Sequence, residues 1–528
     1  MTRFMISRRQ ALLGAASLCT APKLVFGQGT APAVVTAASA RPVVAGVTTG
    51  DVDAGNAVVW ARADRPARMV LEWSTTEDFE IARRVPAPHV LPEGDFIGRV
   101  DLTGLPAGQD IFTRVSFASL DNGKTLAEPV TGHFRTAPAG PRDIRFQWSG
   151  DLVGQGWGIN PDLGGMKIFE VMRRANPDFF INSGDTIYAD GPISAEVKLP
   201  DGKVWKNLVT PEKSKVAETL DEFRGNYRYT WMDEHFRRFM ADVPQIWQWD
   251  DHEVTNNWSD SKDLSGDKRY TERNVPLLVA RAARAFLDYA PLRLGSAESE
   301  RVYRRISYGS LLDVFVVDMR SYRGPNTANL QTREGAETQF LGAEQIRWLK
   351  RGLLNSRATW KVIAADMPIG LDVPDGKTAD GQARWEAIAN GDGGAPKGRE
   401  MEIAGLLSAL KHNEIRNVVW LTADVHYTAA HYYNPAKAQF ADFDGFWEFV
   451  SGPLNAGTFG PNRLDATFGP ELRFVKAPEA GQVNLSPLSG MQFYGEVGIE
   501  ARTGLMTVYL KDMTGATLFE QKLEPARA

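Results

Sequence analysis

Four stretches of the chain place polar, metal-seeking side chains directly after apolar runs: RFQWSGD (145–151), PDFFINSGDTIYAD (177–190), VPQIWQWDDHE (243–253) and VVWLTADVHYTA (418–429). Their tips carry Asp151, Asp185 with Tyr188, Asp251 with His252, and Asp424 with His426. A single Asp after a strand is an ordinary turn or helix-cap residue. Four such tips meeting at one mouth would repel one another, and a shared cation is the natural reason for carboxylates to converge.

The surrounding sequence has to bring those tips together. LLDVFVVDMRSYR (311–323) and WKVIAADMP (360–368) repeat the apolar-first, polar-last pattern, and amphipathic segments such as MKIFEVMRRAN (166–176) and GAEQIRWLKRGLLNS (342–356) lie between the runs. Strands alternating with helices predict an α/β core, and in such sheets ligands bind beyond the carboxyl ends of the strands. Upstream, from Pro42 to about Pro138, short alternating runs (AVVWARA, ARMVLEW, FIGRVDL, DIFTRVSF, EPVTGHFRT) are broken by turn residues and predict a small antiparallel β-sandwich of fibronectin or immunoglobulin type. TAPAGPRD (136–143) reads as a linker, and residues 191–226 and 374–400 read as irregular insertions.

At 528 residues the chain is long enough for more than one domain. Residues 41–138 are expected to form the sandwich and 143–528 the α/β domain that carries the strand-end carboxylates. With 43% hydrophobic and 24% charged residues the composition is that of a globular protein, and a net charge of -5 offers no basic face for nucleic acid. ISRRQALLG (6–14) pairs Arg8 and Arg9 ahead of a short apolar stretch. It resembles a twin-arginine export signal within a leader over 1–40, too short to span a bilayer. A periplasmic or secreted protein handled by the twin-arginine machinery, without a stable membrane anchor, is therefore expected. The lone Cys19 lies inside this leader, which leaves the remainder without disulfides, thiolate ligands or a cysteine nucleophile. Neither a G-x-S-x-G elbow nor a P-loop occurs.

Taken in order, SGD (149–151), SGDTIY (183–188), DDHE (250–253) and ADVH (423–426) resemble the blocks of calcineurin-like metallophosphoesterases. DDHEVTNNW, DMRSYRG (318–324), LTADVHY (421–427) and VAGVTTGDV (44–52) are similar to signatures of the alkaline phosphatase D (PhoD-like) family within that superfamily. The resemblance implies a four-layered αββα metallophosphoesterase core behind the sandwich. It also implies an alkaline phosphatase that hydrolyses phosphate monoesters, and diesters too, by metal-activated hydroxide. On the matching positions, Asp185 falls where a carboxylate bridges two metals and Tyr188 where a phenolate binds ferric iron. Asp251 stands for an asparagine ligand, Asp424 and His426 for two histidine ligands, and His252 for the residue that contacts phosphate or protonates the leaving oxygen. Where well-known members have cysteine, this chain has Gly150 with Asp151 beside it, so Asp151 is expected to supply that ligand or to bind a neighbouring metal. Asp366 of DMP stands where the superfamily has a histidine, as either a ligand or a structural Asp.

These donors are nearly all hard oxygens with one imidazole, which favours Fe3+, Ca2+, Mg2+ or Mn2+ over Zn2+. Fe3+ with Ca2+ is the choice the resemblance implies, with Mn2+, Mg2+, Co2+ or Zn2+ as substitutes. Arg320 and Arg323 could fork onto phosphate oxygens or sit in structural ion pairs. Asp250 is expected behind His252, and Asn256 and Asn257 as ligands or helix caps. A phosphodiesterase or phosphotriesterase on lipid, cell-wall or nucleotide esters is the alternative at the same site. A binding module built on the sandwich would have no use for the strand-end carboxylates.

Overall fold

The computed structural model describes residues 41–295, 300–378 and 380–526. The leader, with Arg8, Arg9 and Cys19, lies outside the described residues.

Two large sheets face each other. In the first, of nine strands, Ile144–Ser149, Phe179–Ser183 and Gln245–Gln248 run parallel at the centre. Phe493–Ile499, Met506–Asp512 and Thr517–Leu523 extend one side antiparallel. In the second, of seven strands, Leu312–Val316, Trp360–Ala364, Val418–Thr422 and Phe446–Val450 run parallel between antiparallel edges. FFINS and LDVFV are buried along their whole length, the mark of parallel strands covered on both faces.

Side-chain alternation then sorts the core into layers. Phe146, Trp148, Phe179, Ile181 and Ile246 meet Val314, Val316, Val362, Val419 and Phe449 between the sheets. On the outer face of the first sheet, Phe180 and Trp247 pack under the helices Ile168–Arg174, Leu220–Thr230, Glu234–Asp242 and Val275–Tyr289. On the outer face of the second, Phe315, Ile363 and Trp420 pack under Ala343–Leu354 and Glu400–His412. The order helix, sheet, sheet, helix is the expected αββα architecture. The helix starts are set locally: Thr219 and Glu222 form a reciprocal capping box, and Asp233 and Asn274 each accept from a first-turn N–H.

The N-terminal strands form two sheets around their own core of Val47, Val59, Val100, Leu71 and Phe117. One sheet holds Arg83–Val85, Ala67–Ser74, Asp110–Ser119 and Val130–Arg135. The other, Val44–Gly50, Asn56–Ala63 and Ile97–Thr103, is continuous with the nine-stranded sheet through the pairing of Gly50 with Gln245. That join is locked by Asp51, whose buried carboxylate accepts from Arg304 at 2.7 and 2.8 Å and from the Arg293 N–H at 2.9 Å. The two segments that read as irregular each contain a hairpin, Glu196–Lys198 with Val204–Lys206 and Pro374–Lys377 with Ala383–Trp385. These strands are too short for a period-2 signal. No helix among the described residues is long and apolar enough to cross a membrane.

The inter-sheet layer carries the fold. Ile181→Ala, at a fully buried position, is expected to cost about 2–5 kcal/mol by cavity formation. Urea denaturation followed by tryptophan fluorescence checks this, and an unchanged midpoint would remove Ile181 from the core.

Candidate metal centre

The parallel strands of both sheets end at one place, where the backbone leaves regular geometry. Asp151, Asp185, Asp424 and His426 have φ of 60°, 50°, 64° and 60°. Non-glycine residues rarely adopt this left-handed region, and such strain collects at functional sites. Close approach also dictates glycine: a Cβ on Gly154 would lie 2.1 Å from the Tyr188 ring.

Three groups of side chains bring possible ligand atoms within 4.8 Å of one another: Asp151, Asp185 and His426; Asp185, Asp251 and His252; Asp250, Asp251 and Asp424. Asp185 belongs to the first two and Asp251 to the last two, so the groups form a continuous array. The Tyr188 hydroxyl lies 2.9 Å from His426 Nε2, and Asp151 Oδ1 lies 3.6 Å from the same nitrogen. His426 Nδ1 is held by the Gly457 carbonyl, which leaves Nε2 for the cluster.

These residues fit a cation. Asp151 Oδ2, Asp250 Oδ2, Asp251 Oδ1 and both oxygens of Asp366 are buried with no hydrogen-bond partner among the described residues, a costly state for a carboxylate. Burial, followed by the neighbouring carboxylates, pushes Asp151, Asp185 and Asp424 well above the usual carboxylate range. Burial and then Asp185 do the same to the Tyr188 phenol. Burial, with the charge of His252 added to it, drives His426 down to about 4, an imidazole that stays neutral and free to donate a lone pair. Oxygen donors with one or two imidazoles suit Fe3+, Ca2+, Mg2+ or Mn2+.

His252 is placed differently. Its Nδ1 lies 2.6 Å from Asp190 Oδ1, and its ring stacks on Tyr188 with centroids 4.2 Å apart. Burial would lower its pKa, but Asp190 and Asp251 hold it up to about 9. Asp190, not Asp250, is therefore the carboxylate behind this histidine. The sequence carried a signal for it, two residues after Tyr188 in TIYAD.

Asp250 instead accepts from Arg320 Nε at 2.6 Å. Arg320 and Arg323, expected as possible forks for phosphate oxygens, have side chains with 0% exposure and buried carboxylate partners. Arg320 pairs with Asp250 and Glu386 and lies 3.4 Å from Asp366 and 3.8 Å from Asp424. Arg323 lies 3.7 Å from Glu386 and donates to Asn326 Oδ1 at 3.0 Å. Glu253 accepts from the backbone N–H groups of Asp185, Thr186 and Asp250 at 3.2, 2.7 and 2.8 Å, tying two strand ends together. Asn256 and Asn257 cap no helix. Their backbone N–H groups go to Asp190 and Asp251, and the Asn257 amide donates to Asp375 at 3.2 Å. Lys213, unremarked in the sequence, buries its ammonium against the Tyr188 carbonyl at 2.8 Å and Asn226 Oδ1 at 3.0 Å.

Comparison with known proteins bears on the family and the fold. The family model described as PhoD-like phosphatase matches residues 146–510, and the model of its N-terminal domain matches residues 29–138. Alkaline phosphatase D of Bacillus subtilis is 24% identical over 515 residues, covering 90% of this chain and 82% of that protein. A solved structure of PhoD superposes with a TM-score of 0.65 at 19% identity over 92% of both chains. A purple acid phosphatase from yellow lupin (Lupinus luteus) seeds gives a TM-score of 0.54 at 10% identity, covering 92% of this chain and 74% of that one. With its strand-end motifs, its layered fold and a family match across most of its length, the chain belongs to the PhoD-like phosphatase family and is a phosphoric ester hydrolase.

Proposed function

We propose that this hydrolase is an exported, metal-dependent alkaline phosphatase that cleaves phosphate monoesters and also accepts diesters. The observation that carries the reading is the row of buried, unpartnered carboxylate oxygens beside a histidine backed by Asp190. Asp151, Asp185, Tyr188 and His426 would hold one ion, Fe3+ by its taste for phenolate and carboxylate oxygen. Asp185, Asp251 and Asp424 would hold a neighbour, Ca2+ or another hard divalent ion. Asp151 takes the place of a cysteine for lack of room at Gly150, where a Cβ would lie 3.0 Å from the Gly184 carbonyl and 3.2 Å from Ala423. Export rests on the twin arginines Arg8 and Arg9.

Such ions would lower the pKa of an attacking water and balance charge on the phosphoryl oxygens. The chain's own residues do the rest. Asp190 fixes Nδ1–H of His252, so the transferable proton sits on Nε2 and can pass to the leaving oxygen. Arg320 turns Asp250 and Asp366 towards itself and keeps this side of the cluster from flying apart.

Three tests follow from these roles. Purified native protein should contain iron and show a visible phenolate-to-iron band that Tyr188→Phe removes, while Asp185→Asn should lose at least roughly 100-fold in p-nitrophenyl phosphate turnover. A colourless, iron-free and fully active enzyme sinks the iron assignment, and an active Asp185→Asn variant sinks the bridge. The second test concerns pH. His252 is an acid below about 9 and loses its proton above it, so kcat/KM should fall on the alkaline side near that value. Asp190→Asn removes the charge that raises the pKa and should move this limb down by about 1–3 units. A limb that stays put in a metal-replete variant assigns it to another group. Third, replacing Arg8 and Arg9 together with Lys should strand the protein in the cytoplasm. Unchanged export in cell fractionation would refute the twin-arginine route.

A further inference from the structure

Tyr188 is held at its ring, its hydroxyl and its backbone. The ring lies on the turn that follows the strand Ile144–Ser149, so closely that a Cβ on Gly154 would meet it at 2.1 Å. The hydroxyl lies 2.9 Å from His426 Nε2. The backbone carbonyl accepts from the amino group of Lys213 at 2.8 Å. The same nitrogen donates to Asn226 Oδ1 at 3.0 Å, on the helix Leu220–Thr230, and reaches the Val153 carbonyl at 3.4 Å.

These contacts join three segments. Val153 belongs to the loop that carries Asp151, and Tyr188 to the loop that carries Asp185 and Asp190. Lys213 belongs to a segment that runs alongside them. There the Ile193 N–H donates to the Lys213 carbonyl at 3.0 Å, and the Ala217 N–H to the Ala189 carbonyl at 2.8 Å. The Ala189 N–H in turn donates to the His252 carbonyl at 2.8 Å. One amino group thus sits where the supports of Asp151, Tyr188 and His252 cross.

A lysine here costs stability. Lys213 is 1% exposed, its three acceptors are neutral oxygens, and burial pushes its ammonium down to about 7. An apolar side chain of similar length fills such a space without burying a charge. The bond to the Tyr188 carbonyl survives loss of the extra proton, because an amine still carries N–H donors. What lysine adds is a donor at the end of a long stem, placed between two loops.

We propose that Lys213 is a positioning residue for the metal centre: its amino group ties the Tyr188 carbonyl to the Val153 loop and so holds the Tyr188 hydroxyl beside Asp151 and His426. The inference rests on the reading of Tyr188 as an ion ligand and adds the residue that keeps it in place.

Lys213→Met, of similar length and without a donor, tests the role beside Lys213→Gln, which keeps a shorter donor. Metal-loaded protein is dialysed against graded EDTA and its ions are counted by mass spectrometry. The ion to follow is the one that Tyr188→Phe loses. Lys213→Met should release it at an EDTA concentration at least roughly tenfold lower than wild type, and Lys213→Gln in between. The metal-free Tm should stay close to wild type, because relief of the buried charge offsets the carbonyls left unpaired. Backbone hydrogen exchange at 186–190 should quicken severalfold in the metal-free Lys213→Met variant. Turnover of p-nitrophenyl phosphate should lose roughly tenfold in kcat with KM little changed. Unchanged resistance to EDTA overturns the proposal, as does a loss of metal that merely follows a fall in Tm in both variants. Retention of every ion by Tyr188→Phe sinks the ligand reading and this role with it. Loss from Tyr188→Phe but not from Lys213→Met sinks the role of Lys213 alone.

Discussion

Repulsion between carboxylates is the constraint around which this molecule is arranged. Asp151, Asp185, Asp250, Asp251, Asp366 and Asp424 are buried or nearly so at the ends of parallel strands from two facing sheets. Two like charges 4 Å apart repel by about 4 kcal/mol at an effective dielectric of about 20, and by more where water is excluded. Arg320 and a protonated His252 answer part of that charge. The partnerless oxygens of Asp151, Asp250 and Asp251 show where the remainder calls for cations. A site of this kind holds together only in a frame that cannot relax, and the dry layer of Trp148, Ile181, Val314 and Val362 between the sheets is such a frame.

The supporting residues share the work by element. Glu253 gathers three backbone N–H groups from two strand ends, which fixes the spacing between Asp185 and Asp250. Arg320 joins Asp250 to Glu386, a residue at the base of the hairpin Pro374–Lys377 with Ala383–Trp385. Asn257 reaches Asp375 at the other strand of that hairpin. The hairpin is therefore anchored at both ends to the DDHE loop, and its exposed tip can vary in sequence without disturbing the carboxylates.

Much of this was legible because apolar strands ending in polar tips are a pattern of sequence alone. The α/β core and the convergence of Asp151, Asp185, Asp251, Asp424 and His426 follow from it, whereas the αββα layering and the role of Tyr188 were implied by the resemblance of the motifs to a known family. What could not be read was the direction of each side chain past the last paired residue. Alternation holds as far as Gln248, but Asp185, Asp424 and His426 adopt left-handed backbone that breaks period 2. Asp250, expected behind His252, consequently pairs with Arg320, and Asp190, for which no role was expected, takes the place behind His252. Arg320 and Arg323 were ambiguous for a related reason: a guanidinium suits phosphate and carboxylate equally, and only burial among Asp250 and Glu386 decides its partner. The continuity of the N-terminal strands with the nine-stranded sheet rests on a single pairing at Gly50, too small a feature to leave a periodic trace.

The DDHE loop shows how one short segment can serve two chemistries. Its acidic side chains need a polar pocket open to cations, while the flanking indoles need apolar contact, and a strand end that twists out of alternation supplies both on opposite faces. Trp249 continues the alternation of the strand towards the helices, beside Trp247 in the same cluster, whereas Asp250 turns to the second sheet and Arg320. Packing of Trp249 on Phe286 and Trp258 then resists rotation of the whole loop. The tryptophans thereby hold Asp251 and His252 in place from behind, and any change in how tightly they pack must be felt at the carboxylates one residue away.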